Sequence, residues 1–361
     1  MVVKEEITKI IKAYNKDNIT IGTLGSHTAL NIFKGAKEEG FRTLCICRKG
    51  DEIVYKKFPL ADEIILVNDF KELLDDKIQN KLRKLNTILI PHGSFNAYIG
   101  PKNIVEKLYV PMFGNRELLD WETDREKQRE WLKSAGLKIP AYYSSPEGIN
   151  KLVIVKFQGA RGGRGYFLTQ SSVGFYRKGK EMIKRGFLTE KDLKEAQIQE
   201  YIMGVNIYPL YFRSILRNET EFFGVDKRYE SFADNIGRIP ADEQLLLTIN
   251  PTYTIVGNIP LTVRESLLPE FIKMGDRVVE QSNKLASPGI IGPFCLETVV
   301  TENLEIVTFE ISARIVAGAN VGIGTSPYTY LKYGEGMYAG RRIAKELKEA
   351  INSNRLKEIV T

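Results

Sequence analysis

The 361-residue chain is long enough for two or three structural units, each with its own buried core. Its hydrophobic share of 43% and charged share of 27% are those of an ordinary soluble globular protein. The net charge of +7 carries no long single-sign block, so it suits anionic metabolites at least as well as nucleic acid.

The N-terminal "MVVKEEITKI" has no apolar signal region, and no apolar run approaches the length of a membrane span, so no membrane partner is expected. Three cysteines, Cys45, Cys47 and Cys295, are too few for a disulfide framework and point to a reducing cytoplasm. Cys45 and Cys47 alternate along one predicted strand and are expected to pack into a core.

Along the chain, "NITIGTLGSHTALNIFKGAKEEGF" (18–41) reads as strand, tight glycine turn and helix. "RTLCICR", "EIILVND" and "NTILIPHGSF" continue a strand–helix alternation, which predicts a parallel, doubly wound sheet in residues 1–124. Each of the two histidines follows a predicted strand, His27 in "LGSHT" and His92 in "LIPHGSF". Ligands of open α/β sheets bind at the carboxyl ends of strands, so Ser26, His27 and Ser94 are candidate binding residues. Ser26, His27 and Thr28 also open a helix, whose free N–H groups attract anions.

An amphipathic helix, "TDREKQREWLKSAGL", begins a second unit, 125–200. Within it, "VIVKFQGARGGRGYF" places Lys156 at the end of a buried strand. Gly159, Gly162 and Gly163, with Arg161 between them, then allow backbone N–H groups to converge on an anion. Two apolar strands frame this loop, which favours a phosphate-covering hairpin over a disordered RNA-binding segment. Two arginines without stacking aromatics are too few for RNA, and no nucleic-acid partner is expected. Glu200 ends a strand before "YIMG", where adenine could stack and bond to the backbone of Tyr201 and Ile202.

The third unit, 201–361, holds an irregular stretch over 229–263 that reads as a functional loop, and it ends in a charged helix. Its strongest signal is "FCLETVV", "TENL" and "EIVTFEI", an antiparallel hairpin. With a four-residue loop at 301–304, Glu297 falls opposite Thr308 and one diagonal step from Glu310, roughly 7–8 Å away. In that register Val307 and Phe309 share the opposite, apolar face with Phe294 and Leu296. Two carboxylates on one face need a cation or solvent between them, and that spacing suits Mg²⁺ carrying nucleotide phosphates. Ser312 and Arg314 follow directly as a small oxygen ligand and a phosphate-binding guanidinium.

In this order, Lys156 with its glycine loop, Glu200, Glu297, Glu310 and Arg314 resemble the ATP-grasp superfamily of carboxylate–amine ligases. The resemblance implies an ATP-grasp fold behind a Rossmann-like first domain, with ATP and Mg²⁺ (or Mn²⁺) as cofactors, Glu297 and Glu310 as metal acids, and Lys156 on the nucleotide. Two positions depart from the pattern. Ser312 stands where Asn is usual, and Asn206 stands where many members carry a ribose-binding acid, leaving Asp226 or Glu230 as candidates. Lys127 is the expected second nucleotide lysine.

"TLGSHTAL", "PHGSFNAYIG", "RGGRGYF", "FEISARIVAGAN" and "GTSPY" are similar, nearly end to end, to the archaeal formate-dependent 5-formaminoimidazole-4-carboxamide ribonucleotide synthetase (PurP) family. That resemblance implies ATP- and formate-dependent formylation of the purine intermediate AICAR through formyl phosphate. It also implies that the first-domain turns, with Asn258, hold AICAR, and that Lys156, Arg314 and His27 act on the reacting groups. A homo-oligomer is expected. A ligase joining another acid to another amine, a nucleotide sensor and an RNA-binding protein are the rival readings.

Overall fold

The computed structural model describes residues 4–157, 166–231, 236–246, 255–322 and 326–361, and they form three sheets. Strands β1 (Thr20–Leu24), β2 (Arg42–Arg48), β3 (Glu63–Val67) and β4 (Thr87–Leu89) make a parallel sheet in the order β3-β2-β1-β4. β1 is buried at every position and β2 at all but its terminal arginines, as a sheet covered on both faces requires. Cys45 and Cys47 are free thiols packed with Ala29, Phe33 and Tyr55. The strand order reverses between β1 and β4, so the turns carrying His27 and Ser94 leave the sheet at its switch point.

A second sheet, antiparallel in all its pairings, joins β5 (Tyr142–Tyr143), β6 (Val153–Lys156), β7 (Tyr166–Thr169) and β8 (Gln197–Glu200) in the order β5-β8-β6-β7. It has its own small core, including Val153, Val155, Phe167, Phe175 and Ile198. The third sheet is antiparallel, β11-β10-β9-β12-β13, built from β9 (Val205–Ser214), β10 (Glu219–Glu230), β11 (Ile255–Pro260), β12 (Gly292–Val300) and β13 (Ile306–Ser312). Part of the stretch expected to be irregular, residues 229–230 and 255–260, is therefore sheet. β11 is an edge strand on which Ile255, Val256 and Ile259 are exposed, so no alternation of buried and polar residues marked it in the sequence.

The segments that join these sheets also cross between cores. In the Arg125–Ser134 helix, Trp131 is fully buried in the core of the third sheet and donates its indole N–H to the Val278 carbonyl. The last helix, Ala339–Asn352, returns to the first sheet and packs on the Ala29–Glu38 helix. Its charges do not simply face water. Arg342 is buried with Glu221 and Glu346 at 2.8 Å each, its guanidinium 4.4 Å from the centre of the Phe212 ring. The chain end closes the unit, with the Thr361 and Met112 backbones exchanging hydrogen bonds. No helix among the described residues is long and apolar enough to cross a membrane.

The two helices touch through glycines: a Cβ on Gly35 would lie 2.2 Å from the Arg341 backbone nitrogen, and one on Gly340 2.2 Å from the Asn31 carbonyl oxygen. Gly35→Ala should therefore reverse the usual helix preference, which favours alanine by about 1 kcal/mol. Overpacking is expected to dominate, with a net loss of about 1–3 kcal/mol in chemical denaturation.

Candidate active site

The two hairpin acids meet more directly than the sequence register predicted. Val300 pairs with Ile306, so the loop has five residues, and a β-bulge lies between Glu297 and Thr298. Phe309 is the extra residue, and Glu297 pairs with Glu310 itself. The bulge also moves Phe309 off the face it was expected to share with Leu296. Its ring now lies 5.5 Å from the Lys156 ammonium, and Val307 pairs with Val299 on the carboxylate side. The opposite face keeps Phe294, Leu296, Val300, Ile306 and Ile311 in the core.

Three cations surround this pair. Arg228 on β10 grips Glu297 with both ends of its guanidinium, Nη1 to Oε2 at 2.8 Å and Nη2 to Oε1, and stacks 4.0 Å above the Tyr208 ring. Lys156 reaches in from β6, and burial lowers its pKa to about 8 against the pull of Glu310 and Glu297. Arg125 donates to the Phe157 carbonyl at 3.3 Å and adds to the field at both Lys156 and Glu310. Burial, followed by the charge of Glu297, pushes Glu310 above the usual carboxylate range despite these cations. A cavity of about 460 Å³ adjoins Lys156 and Arg125.

Such a pair fits a hard divalent cation. Its two acids sit directly opposite each other on one rung of the ladder. Among the described residues no third His, Cys, Asp or Glu joins them. That matches Mg²⁺, which takes one or two carboxylates and completes its shell with water and substrate phosphates. Ser312 lies two residues beyond Glu310 on the same face, opposite Cys295.

The first-sheet turns meet Arg314 beside this centre. The Ser94 hydroxyl bonds to that of Ser26 at 3.1 Å, and the His27 and His92 rings stack with centroids 5.3 Å apart. His27 adopts a left-handed φ of 54°, an uncommon conformation for a non-glycine residue. Between them Gly93 leaves a gap: a Cβ there would stand 3.1 Å from His27 Nε2 and 3.6 Å from the Arg314 guanidinium carbon. His27 is exposed at the surface of the turn, yet the protein packed around its ring, then His92, Arg314 and Arg228, lower its pKa, which places both arginines within its electrostatic reach. Fully buried His92 is a supporting residue. Its Nε2 donates to the Leu24 carbonyl at 3.0 Å, and its Nδ1 accepts the Ser94 N–H at 3.3 Å.

The sequence reading missed the residue that holds Arg314. Glu122, buried in the Leu118–Thr123 helix, accepts from Arg314 Nε at 3.1 Å, from the Ala313 N–H and from the Asn96 side chain. Arg228 and Arg125 were missed as well. Each reads as a surface charge in its local pattern, and only the folded sheet turns them toward the acids.

Other expected residues fall elsewhere. Lys127 pairs with Asp120 and is 42% exposed, so Arg125, half a helical turn earlier, is the cation that reaches the acids. Glu200 is tied to Lys151 at 2.5 Å and to the Ala141 N–H, and the Tyr201 N–H is already given to the Leu152 carbonyl. Ile202 follows, half-buried, just beyond β8. Asn258 donates to Asp226 at 2.6 Å across β10 and β11, so these two candidates serve each other. Among the described residues the second Asp226 oxygen is buried without a hydrogen-bond partner, and burial raises the pKa of the carboxyl group to about 6. Glu230 ends β10, half-buried, opposite Ile255. Gly159, Arg161, Gly162 and Gly163 lie outside the described residues.

A lysine strand laid over a hairpin with paired acids, behind a parallel first sheet, is the arrangement of the ATP-grasp carbon–nitrogen ligases. The fold is that of biotin carboxylase from Campylobacter jejuni, with a TM-score of 0.62 at 12% identity over 90% of this chain and 70% of that one. Two family models of undescribed function match, DUF1246 over residues 21–143 and DUF1297 over 174–361. The IMP biosynthesis protein PurP from Thermococcus kodakaraensis superposes with a TM-score of 0.72 at 31% identity, over 94% of this chain and 100% of that one. The 5-formaminoimidazole-4-carboxamide-1-(beta)-D-ribofuranosyl 5'-monophosphate synthetase of Archaeoglobus fulgidus is 53% identical over 357 residues, 99% of each chain. The chain belongs to this synthetase family, the PurP family.

Two outcomes are expected. His92 is buried neutral with a pKa lowered to about 4 from 6.5, first by burial and then by Arg314. As pH falls through 6.5 the unfolded chain takes up its proton first, so stability is lost between about pH 6.5 and 4 and the loss levels off below that. His92→Gln, which keeps a donor and an acceptor, should show about 3 kcal/mol less loss over that window in denaturation at each pH. Glu122→Ala leaves Arg314 buried without its partner and should cost about 3–5 kcal/mol, read from the same curves. Arg314→Met in that background should restore part of the loss.

Proposed function

We propose that this chain formylates the amine of AICAR with formate and ATP, releasing ADP and phosphate, in purine nucleotide synthesis. The observation that supports the reading is the closeness of two groups of residues: Arg228, which clamps the acid pair, and Arg314 both act on His27, which stands with Ser26 and Ser94 in the first-sheet turns. End-to-end likeness to the synthetases named above supports the choice of substrate.

Formate resists attack because its charge is spread over both oxygens. Phosphorylation by ATP would give formyl phosphate, whose carbon the AICAR amine attacks as phosphate leaves and the amine loses a proton. Lys156 is placed to balance charge on the transferred phosphoryl group, with Arg125 beside it. Arg314, held by Glu122, is placed to bind formate or its phosphate anhydride between the two sites. His27, Ser26 and Ser94 would hold the AICAR nucleotide at the switch point. Glu297 and Glu310 would hold Mg²⁺ or Mn²⁺, which supplies charge neutralisation at the nucleotide phosphates. A lid over the cleft would keep water from the anhydride.

ADP release should require ATP, the metal, AICAR and formate together, with no folate added. Glu310→Gln should lower turnover about 100-fold or more. ATP binding without AICAR-dependent turnover would instead assign the chain to a ligase for another acid and amine.

A further inference from the structure

We propose that Arg228 is a resident counter-ion for Glu297 that keeps free divalent metal out of the site, so that metal enters only with the negative phosphates of a nucleotide. The inference rests on Glu297 and Glu310 being the metal carboxylates.

Charge and geometry carry the argument. Arg228 engages both oxygens of Glu297, and the two side chains are only 19% and 6% exposed. A pair so far from water is little screened, unlike a surface ion pair. The clamp is one-sided: among the described residues Glu310, directly opposite, has no hydrogen bond or ion pair of its own. Arg228, Lys156 and Arg125 already set three positive charges against Glu297, Glu310 and the neighbouring Asp226, so the centre holds as many cations as acids before any metal enters. A bare divalent ion would add two more beside the guanidinium on the same carboxylate. It can bind only if Arg228 lets go, or if it arrives carrying phosphate charge that offsets the excess. The guanidinium has somewhere to rest once released, because it lies over the Tyr208 ring, which holds a cation without using a carboxylate.

Arg228 is thus a positioning residue that acts through Glu297. Its test is metal binding by the full chain without nucleotide, read from the free Mn²⁺ signal in electron paramagnetic resonance. Arg228→Met is expected to bind Mn²⁺ about tenfold or more tightly than the parent chain, because the competing cation is gone. Its thermal midpoint should fall without metal and recover with Mn²⁺. Arg228→Lys keeps the charge and should stay close to the parent. The gain should vanish in Arg228→Met/Glu297→Gln. Should Arg228→Met not fold, Arg228→Gln provides the same neutral readout.

Equal Mn²⁺ affinity in Arg228→Met and the parent, with Glu297-dependent Mn²⁺ binding in the presence of ADP, would overturn the counter-ion role and leave the metal centre standing. Mn²⁺ binding that ignores Glu297→Gln even with ADP would overturn the metal centre and this inference with it.

Discussion

Two carboxylates placed directly opposite each other inside a hairpin are a repulsion the rest of the fold has to answer. Glu297 and Glu310 occupy one rung of the β12–β13 ladder because the bulge at Phe309 shifts the register. Burial, and then the like charge of Glu297, keep Glu310 hard to ionise. The answer comes from three separate parts of the chain. Arg228 comes from β10, Lys156 from the small second sheet, and Arg125 from the helix whose Trp131 anchors it to the third-sheet core. A centre assembled in this way has its strong field only when all three are docked. The second sheet brings Lys156 on a strand with its own separate core, which suits an element that closes over a nucleotide.

The other half of the site depends on a different constraint, the reversal of strand order between β1 and β4. That reversal opens a crevice at the strand ends, and both turns that border it carry short donors, Ser26 and Ser94. His92 pairs with Ile315 in an isolated parallel bridge, so the second turn is fixed by hydrogen bonds to the segment that bears Arg314. Glu122 grips Arg314 and the Ala313 N–H from the other side. The segment bearing Arg314 is therefore fixed from two sides, by the His92 turn and by Glu122.

Some of this was legible in the linear sequence because it depends on local rules. The alternation around Cys45 and Cys47, the helix after "LGSHT" and the lysine at the end of "VIVK" follow from periodicities of two and 3.6. The acid pair was also legible, but its register was not, since a bulge is decided by how the edge strand β13 must bend along β12 and not by apolar pattern. The stretch 229–263 misled for a related reason: β11 is an exposed edge strand, and Asn258 spends its amide on Asp226. Lys127 misled because residues two apart on a helix face different ways, and the inward direction is set by packing of Trp131.

By itself, then, the sequence determined the order of units, the glycine-rich lysine strand, the identity of both acids and the two donor-rich turns, all of them local in the chain or carried by motif. Tertiary structure alone decided which charges meet. Arg228 with Glu297, Arg314 with Glu122 and Arg342 with Glu221 are partners separated by 69, 192 and 121 positions. A cation's side-chain type is visible in sequence, but its partner depends on which strand or helix the fold lays beside it. Burial then turns those meetings into strong interactions, because only out of water does one charge require another.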